Sequence, residues 1–183
     1  MIRILDIMLA AGGLLIGSPI FLLLWLAGKV DTGFPLFRQA RVGRHQQPFV
    51  LLKFRTMRPE TTAMATHLVD SAMVTRWGRL IRRAKLDELP QLWNVLVGEM
   101  SMVGPRPCLL TQAEVIAERE ARGVFHHQPG ITGMAQLRGI DMSVPARLAD
   151  ADAEMMASMS VRMYLHYVLL TLSGRGSGDR VRK

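Results

Sequence analysis

The stretch that decides the fold is Lys85-Leu86-Asp87-Glu88-Leu89-Pro90-Gln91-Leu92-Trp93-Asn94, followed by Met100-Ser101-Met102-Val103-Gly104-Pro105-Arg106-Pro107. The first run predicts a short helix that opens at Leu86 to Glu88 and carries two adjacent carboxylates in its first turn. The second run places a rigid, basic Pro-Arg-Pro loop just beyond the helix end. Carboxylates beside such a loop suit metal-assisted chemistry on a phosphate.

The predicted helix carries a regular apolar stripe. Leu89, Leu92, Trp93 and Leu96 recur at i, i+3, i+4 and i+7, and Gly98 ends the pattern. We therefore expect the stripe to be buried and the first turn to face the solvent or a site.

The acidic pair Asp87-Glu88 has two interpretations. Unpaired amides and the helix dipole keep carboxylates ionised at a helix start, where an aspartate can bind a divalent cation or attack phosphorus. Acidic residues are also preferred at helix starts for stability alone. The neighbouring basic motifs favour chemistry, although each basic residue taken singly is typical of a solvated surface. The side chains that would clamp a diphosphate are Lys53, Arg55, Arg82, Arg83 and Arg106.

Two loops carry weaker signals for phosphate binding. Pro105 and Pro107 fix two φ angles around one guanidinium, so Arg106 has little entropy left to lose on binding, and a rigid turn under the helix is the structural alternative. Gly130 and Gly133 would let backbone amides approach a phosphate, but two glycines in a loop are weak evidence alone.

Composition limits the classes of protein to which the chain can belong. At 183 residues it has room for one modest core plus an appendage. Its net charge of +8 calls for an anionic partner, whether a phosphate-bearing substrate, a membrane surface or nucleic acid. The single cysteine, Cys108, excludes an internal disulfide framework, fits a reducing compartment and is expected to be a small packed residue. His126 and His127 lack the spacing of metal ligands.

The segment from Ile4 to Gly28 predicts a membrane element. It holds one charge, Asp6, and is otherwise apolar or small over roughly 20 residues, enough to cross a bilayer core. Ser18-Pro19 lies near its middle, where proline removes a backbone donor and bends a helix. A re-entrant helix, with freed carbonyls satisfied by the Ser18 hydroxyl or by neighbouring protein, and a kinked spanning helix are both open. Basic residues on both flanks favour two cytoplasmic ends.

The rest of the chain divides into short elements. We expect a hairpin of strands at 35–39 and 49–54, a mobile loop at 58–70, helices at 71–83, 111–122 and 146–172, a glycine-rich loop at 128–133, and a disordered basic tail at 174–183. In the basic helix at 71–83, Trp77, Leu80 and Ile81 share a face and arginines occupy much of the rest. Such a helix would lie on anionic headgroups.

Several ordered motifs carry a resemblance over nearly the whole chain. They are Ser18-Pro19, Lys53-Phe54-Arg55-Thr56-Met57, Leu86-Asp87-Glu88-Leu89-Pro90-Gln91-Leu92, Gly104-Pro105-Arg106-Pro107 and Gln128-Pro129-Gly130-Ile131-Thr132-Gly133. With these motifs at the expected spacing, the sequence resembles the bacterial sugar transferase family, the small membrane-bound phosphoglycosyl transferases. Its length resembles that of the minimal, monotopic members.

The resemblance implies an α+β fold, a mostly helical small membrane-associated domain with surface amphipathic helices and a small β-hairpin. In that family a re-entrant membrane helix breaks at the Ser-Pro pair, here Ser18-Pro19. The implied organisation is a membrane helix at 1–30, a catalytic domain at 31–173 and a basic tail at 174–183. The implied location is the bacterial inner membrane, with the catalytic domain on the cytoplasmic face.

The resemblance also implies the chemistry. Asp87 would be the nucleophile that attacks the sugar-linked phosphate of a UDP-sugar and releases UMP. Polyprenol (undecaprenyl) phosphate would then take the phosphosugar, the first membrane step of glycoconjugate, exopolysaccharide or O-antigen synthesis. Mg²⁺ would be held by Asp87 and Glu88, and Glu88 is an alternative aid to the lipid phosphate. The expected phosphate and substrate contacts are Lys53, Arg55, Arg82, Arg106, Gly130, Thr132 and Gln136.

Partners follow from the same resemblance. They are the UDP-sugar, polyprenol phosphate and membrane lipids, without nucleic acid, and a homodimer is left open. Lys85 departs from the family pattern because many members have Ser or Thr there, so a side-chain helix cap is lost. Met134 replaces a common aromatic residue, and Gln136-Leu137-Arg138-Gly139-Ile140 lacks a basic residue after the glycine. The departures bear on recognition of the sugar or nucleotide more than on transfer.

Two other functions are weighed against transfer. A non-catalytic basic protein that binds the membrane surface would explain the charge and the anchor but not the acidic pair beside Pro105-Arg106-Pro107. A degenerate transferase kept as a scaffold conflicts with the intact Asp87, Glu88 and Arg106.

Overall fold

The computed structural model describes residues 1–59 and 73–174. Within them the chain is mostly helical with short strands, so the predicted α+β class is confirmed. Single 3₁₀ turns lie at Arg44–Gln46, Leu86–Glu88 and Val124–His126. The helices and strands are, in chain order, α1 (Ile2–Thr32), β1 (Leu36–Val42), β2 (Pro48–Phe54), α2 (Arg76–Arg83), α3 (Gln91–Val97), β3 (Ser101–Val103), α4 (Ala113–Ala121), β4 (Gly130–Thr132), α5 (Met134–Leu137), α6 (Pro145–Ala157) and α7 (Val161–Leu172).

β1 and β2 form the predicted antiparallel hairpin. The register pairs Leu36 with Phe54 at the open end and Val42 with Pro48 at the turn. The prediction is confirmed, and β1 extends three residues beyond its expected end. Because side chains alternate along a strand, the inner face of β2 holds two apolar residues and then Lys53, which is buried. The hairpin thus carries an amine into the interior.

β3 and β4 form a parallel pair that joins two motifs far apart in sequence. Gly104 N donates to Thr132 O at 2.8 Å, and Gly130 N donates to Pro105 O at 2.9 Å. A Cβ atom on Gly130 would lie 2.0 Å from Gly104 N, so the two backbones approach too closely for any side chain. The glycine-rich stretch predicted as a loop at 128–133 is therefore wrong in its middle, where it is a strand.

α1 packs against the rest of the protein in both its N-terminal and its C-terminal half. Leu24 packs with Phe54 and Ile81 near the C-terminal end, and a Cβ atom on Gly13 would lie 3.0 Å from Leu92 Cδ1. The buried positions of the helix share one face and are Asp6, Ala10, Leu24 and Gly28. By length and composition α1 could cross a membrane.

The Ser18-Pro19 pair lies inside α1, which continues through it as one helical segment. Ser18 Oγ donates to Leu15 O at 2.8 Å. That carbonyl is the one left without a donor because Pro19 has no N–H. The prediction that the Ser18 hydroxyl satisfies a freed carbonyl is confirmed, and the predicted break of the helix at this pair stays a prediction.

The apolar stripe after the acidic pair is confirmed except at one position. Leu92 is buried, and Leu89 and Leu96 are partly buried against the same cluster. Trp93 is 53% exposed, so its predicted place in the stripe is wrong. The helix ends as predicted at Gly98, which has the left-handed φ of 94° that a glycine adopts readily.

The basic helix predicted at 71–83 is shorter in the described residues. α2 begins one residue after its N-cap Thr75, whose hydroxyl accepts a hydrogen bond from the helix. Ile81 is buried and Trp77 partly buried in one cluster, but Leu80 is 59% exposed. At i, i+3 and i+4 of α2 the three side chains share a face as predicted, and that face is buried at Ile81 and exposed at Leu80.

The predicted helix at 146–172 is two helices. α6 ends at Ala157 and α7 begins at Val161, because Ser160 acts as an N-cap whose Oγ accepts from Met163 N at 3.3 Å. The helix predicted at 111–122 is confirmed with slightly narrower bounds. Most of the loop predicted at 58–70 and of the tail predicted at 174–183 lies outside the described residues.

Candidate active site

The acidic pair lies in the 3₁₀ turn Leu86–Glu88, ahead of α3. Leu86 packs against the cluster of Phe54 and Ile81, which attaches the turn to the ends of β2 and α2. Asp87 is only 4% exposed. The helix predicted to open at Leu86 begins as this 3₁₀ turn, and α3 itself starts at Gln91. Because Asp87 is buried, the alternative that the first turn faces solvent is wrong, and the alternative that it faces a site stays a prediction.

The chain reverses direction at Lys85, between α2 and the acidic turn. Lys85 has φ 56° and ψ 18°, in the left-handed region, and occupies the N-cap position of the turn without a side-chain capping hydrogen bond. The predicted loss of a helix cap is confirmed. A residue with a Cβ atom in this conformation costs about 1–2 kcal/mol. The reversal packs α2, and with it Arg82, against the acidic turn.

Glu88 joins three segments of the chain. Its Oε1 accepts hydrogen bonds from Arg106 Nη2 at 2.9 Å and from Lys53 Nζ at 3.4 Å. All three side chains are largely buried, with Arg106 the most exposed of them. Two cations on one carboxylate keep Glu88 ionised and hold positive charge next to Asp87. The structure thus brings together the Lys53, Glu88 and Arg106 that the sequence predicted as site residues.

Asp87, Glu88, Lys53 and Arg106 are called the charged centre here. Arg82, on α2, is the next basic residue beside it. Its Nε donates to Thr56 Oγ1 at 2.8 Å. Its Nη1 is buried and has no hydrogen-bond partner within the described residues. Buried polar atoms are nearly always hydrogen-bonded, so this guanidinium N–H lacks an acceptor of the kind that a phosphate oxygen would supply. The predicted phosphate contact of Arg82 fits this geometry and stays a prediction.

The arginine loop, Gly104–Cys108, is held through its backbone. Two of its five residues are prolines and cannot donate, so the loop is fixed mainly through its carbonyls. Four consecutive carbonyls accept hydrogen bonds from other segments, namely Pro105 O from Gly130 N at 2.9 Å, Arg106 O from Arg119 Nη1 at 2.7 Å, Pro107 O from Arg41 Nη1 at 3.1 Å and Cys108 O from Val42 N at 3.0 Å.

Arg119 and Asp152 form a buried ion pair behind the arginine loop. Arg119 Nε and Nη2 donate to Asp152 Oδ2 at 3.0 and 2.7 Å, and both residues are 1% exposed. Burial raises the pKa of the Asp152 carboxyl, and the Arg119 guanidinium opposes that rise. Cys108 is fully buried, so the prediction of a small packed residue is confirmed, and burial raises the pKa of its thiol.

Asn94 fixes α3 to the hairpin. Its side chain accepts from Leu52 N at 3.1 Å and donates to Val50 O at 2.8 Å and to Glu99 Oε2 at 2.7 Å. The amide therefore pairs with the outer edge of β2 as another strand would. Because Lys53 follows Leu52, this contact helps to set the position of the Lys53 amine relative to the acidic turn.

Sequence reasoning missed Asn94, Arg119 and Asp152 as parts of the site. The available signal was a polar or charged residue at a position that helical periodicity assigns to the buried face, such as Arg119 four residues after the buried Val115. A buried charge needs a partner, which the sequence could not name.

The predicted residues of the glycine-rich stretch lie behind the arginine loop. Thr132 Oγ1 lies 2.6 Å from Thr171 Oγ1 on α7, and Gln136 Nε2 donates to Ile131 O at 2.9 Å. The N–H of Gly130 is used by Pro105 O, so this glycine acts here by allowing close backbone approach. Direct contact of Gly130, Thr132 or Gln136 with substrate stays a prediction.

Arg55 lies over the base of the hairpin. Its Nε donates to Phe34 O at 3.2 Å, and its guanidinium carbon lies 5.4 Å from the centroid of the Phe37 ring. These contacts tie Arg55 to the segment between α1 and β1. Its predicted role in phosphate binding stays a prediction.

The donor set is compatible with a magnesium ion. Among residues 1–59 and 73–174, no group of three His, Cys, Asp or Glu side chains could hold a metal by itself. Mg²⁺ is usually bound by one or two carboxylates together with substrate phosphates, and Asp87 with Glu88 supplies such a pair. The residues therefore fit an ion shared with a phosphate substrate.

Comparison with protein families gives a match to the model for "Bacterial sugar transferase" over residues 1–175. The chain belongs to the bacterial sugar transferase family. This membership confirms the resemblance drawn from the motifs. The matched residues include α1, the acidic turn and the arginine loop.

Individual relatives agree with the family. The chain is 43% identical to an uncharacterised sugar transferase, EpsL, of Bacillus subtilis, over 75% of this chain and 68% of the relative. It is 43% identical to a UDP-glucose:undecaprenyl-phosphate glucose-1-phosphate transferase of Caulobacter vibrioides, over 75% of this chain and 54% of the relative. The Escherichia coli protein of the same name is 40% identical over 73% of this chain and 30% of the relative. The chain therefore spans about half or less of the two relatives named for glucose-1-phosphate transfer.

Proposed function

We propose that the protein transfers a sugar 1-phosphate from a UDP-sugar to polyprenol phosphate and releases UMP. The observation that carries the proposal is the charged centre, in which Glu88, the residue after the buried Asp87, accepts hydrogen bonds from Lys53 and Arg106. Relatives named for glucose-1-phosphate transfer to undecaprenyl phosphate support the same reaction class. The transfer would be the first membrane step in the synthesis of a glycoconjugate, an exopolysaccharide or an O-antigen.

In the first half-reaction, Asp87 is the nucleophile. A carboxylate oxygen of Asp87 forms a bond to the sugar-linked phosphorus of the UDP-sugar. The bond from that phosphorus to the bridging oxygen breaks, and UMP leaves with the electron pair. Burial of Asp87 excludes water, which protects the acyl phosphate from hydrolysis. Arg106 and Arg82 bind the diphosphate oxygens and stabilise the charge that develops on them.

In the second half-reaction, an oxygen of polyprenol phosphate attacks the same phosphorus and the Asp87 carboxylate leaves. The product is a polyprenyl diphosphate sugar. A covalent intermediate suits this pair of substrates, because one is soluble, the other is a lipid, and they need not be bound together. Mg²⁺ held by Asp87 and Glu88 supplies positive charge to the phosphates when bound. Lys53 and Arg106 keep Glu88 ionised throughout.

The packing of α1 supports a membrane-bound enzyme whose helix does not cross the bilayer. Arg3, near one end, donates to Val95 O at 2.6 Å, while Leu24, near the other end, is buried against Phe54. A helix with both ends on one body leaves that body on one side of the membrane. We therefore place the catalytic domain on the cytoplasmic face of the bacterial inner membrane, where UDP-sugars are made.

The test is UMP release by detergent-purified protein given Mg²⁺, undecaprenyl phosphate and a panel of UDP-sugars. We expect the variant Asp87→Asn to lose at least 10³-fold in rate, since the amide is a poor nucleophile. The matched control is Glu114→Gln on the exposed side of α4, which is expected to leave the rate unchanged. Chelation of Mg²⁺ is expected to abolish release.

A second measurement tests the covalent step. With the UDP-sugar alone, wild-type protein should release one equivalent of UMP in a burst and gain the mass of a phosphosugar on the peptide that contains Asp87. Full activity of Asp87→Asn, or UMP release only when both substrates are present, would contradict the proposed route. If Asp87→Asn changes nothing while membrane binding depends on the α2 arginines, the protein is a membrane-surface binding protein.

A further inference from the structure

The buried ion pair of Arg119 and Asp152 lies next to the charged centre and contacts it at Arg106. Arg119 Nη1 donates to Arg106 O at 2.7 Å, and Arg106 Nη2 donates to Glu88 Oε1 at 2.9 Å. The backbone of one arginine is thus held by Arg119, and its side chain reaches the acidic turn. Asp152 on α6 is therefore connected to Glu88 through the hydrogen bonds of Arg119 and Arg106.

A buried ion pair is weak evidence for a role in stability. Removing two charges from water costs several kcal/mol per ion, and apolar replacements are often neutral or stabilising. A second ion pair joins the C-cap of α4 to α6 at the surface, where Arg122 Nε donates to Asp150 at 2.6 Å. Because Asp150 is exposed, this pair avoids the cost of desolvation. α4 and α6 are therefore already linked by charges at the surface. The buried pair needs another reason, and the Arg106 carbonyl supplies one.

The carbonyl of Arg106 has few other ways to be held. Pro105 and Pro107 on either side have no N–H, so the loop cannot form a ladder of its own. Neighbouring carbonyls accept from Gly130 N and from Arg41. Among the described residues, the bond from Arg119 holds the carbonyl of Arg106, and a guanidinium already fixed by Asp152 loses little freedom in making it.

We propose that Arg119 is a positioning residue, which, held by Asp152, fixes the peptide of Arg106 so that the Arg106 guanidinium meets Glu88 and the substrate phosphate. The inference rests on the proposed function for its kinetic consequence. It adds a residue on α4, outside the charged centre, whose contribution passes through Arg106.

The test uses Arg119→Lys, which keeps the charge opposite Asp152 but cannot reach both Asp152 and the Arg106 carbonyl. The control is Arg122→Lys, the same change in the surface pair between the same helices. Hydrogen exchange is measured by mass spectrometry on the peptide covering residues 103–110, in the full chain in detergent. We expect Arg119→Lys to exchange faster than the wild-type protein in that peptide. Arg122→Lys should exchange at the wild-type rate, because only Arg119→Lys loses a bond to the loop.

Kinetics separate positioning from simple loss of structure. Arg119→Lys should lower kcat/KM for UMP release about 10- to 100-fold, the loss expected when a catalytic group moves by about 1 Å. In a background that already carries Arg106→Gln, the same change should have almost no further effect, since the residue through which it acts is gone. Multiplicative losses, or unchanged exchange at 103–110 in Arg119→Lys, would overturn the inference.

The two measurements distinguish failure of this inference from failure of the proposed function. If wild-type protein releases no UMP from any donor, the proposed function fails and the exchange experiment alone decides whether Arg119 holds the loop. If wild-type protein is active and Arg119→Lys behaves like Arg122→Lys in both measurements, the inference fails and the proposed function stands.

Discussion

Around Glu88, ionised side chains lie inside the protein, whereas along α1 large apolar side chains lie outside it. Lys53, Asp87 and Arg119 are all less than one-tenth exposed, while Leu15 and Ile16 are 77% and 82% exposed. In a protein surrounded by water this arrangement is unfavourable on both counts. It is favourable where one face meets lipid and a sheltered pocket handles phosphates. The contrast teaches that the outer face of α1 is suited to an apolar phase and the interior around Glu88 to paired ions, and each prediction below tests one side of it.

The largest effect is expected at Asp6, which brings a carboxylate into the interior from α1 itself. Its Oδ1 accepts from Ser101 Oγ at 2.9 Å, Met102 N at 2.8 Å and Tyr164 Oη at 2.7 Å. Asp6→Ala leaves three donors buried without an acceptor, and we expect it to lower the free energy of unfolding by about 3–5 kcal/mol. Denaturant titration of the detergent-purified protein, followed by tryptophan fluorescence, measures this loss.

The matched control for Asp6 is the other acidic residue of the same helix. Asp31 accepts a hydrogen bond from Thr75 Oγ1 at 2.7 Å at an exposed position, so Asp31→Ala should cost about 1 kcal/mol or less. Equal losses for the two variants would show that the N-terminal half of α1 is not part of the folded core.

A smaller effect is expected on the outer face of α1. Ile16→Ser should change the free energy of unfolding by no more than about 0.5 kcal/mol, because the side chain touches little protein. It should weaken partitioning into phospholipid vesicles about 10-fold or more, since burying an isoleucine in an apolar phase is worth about 1.5–3 kcal/mol. Flotation of the protein with vesicles measures the partitioning.

Leu24→Ser, on the inner face of the same helix, should behave in the opposite way. Leu24 is buried with Phe54 and Ile81, so its replacement should mainly reduce the stability of the fold. If Ile16→Ser unfolds the protein and Leu24→Ser releases it from vesicles, the two faces of α1 have been assigned the wrong way round.

The smallest effect concerns the backbone that supports the charged centre. Lys85→Gly removes the steric cost of a left-handed residue and should raise the free energy of unfolding by up to about 1 kcal/mol, part of which is lost to the greater freedom of glycine in the unfolded chain. Lys85→Val should lower it by more than that gain. Thermal unfolding of both variants checks the sign, and a stable Lys85→Val would mean that the turn adopts another conformation.

Local pattern was enough to predict much of this fold. The hairpin, the end of α3 at Gly98 and the membrane character of α1 follow from periodicity, glycine and composition, all of which act over a few residues. The motifs also predicted Glu88, Lys53 and Arg106 as members of one site. The structure brings the three side chains together around Glu88 Oε1, and their membership of an active site stays a prediction.

The errors and omissions have one physical origin, which is contact between residues distant in sequence. The strand at Gly130–Thr132 exists only because β3 lies beside it, and Asp87 is buried only because α2 and β2 pack around its turn. The bond from Arg119 to the Arg106 carbonyl depends on the placement of α4 and α6. No local propensity contains this information.

The hydrogen bond between Asp6 and Tyr164 also constrains the order in which contacts form as the chain is synthesised. The two residues are 158 positions apart. At about 5–20 residues per second, Asp6 leaves the ribosome roughly 8–32 s before the hydroxyl that will satisfy it. Ser101 and Met102 emerge within that interval, but the Tyr164 hydroxyl does not. α1 is therefore free to meet lipid while the rest of the chain is made, and its contact with Tyr164 forms only once α7 has been synthesised.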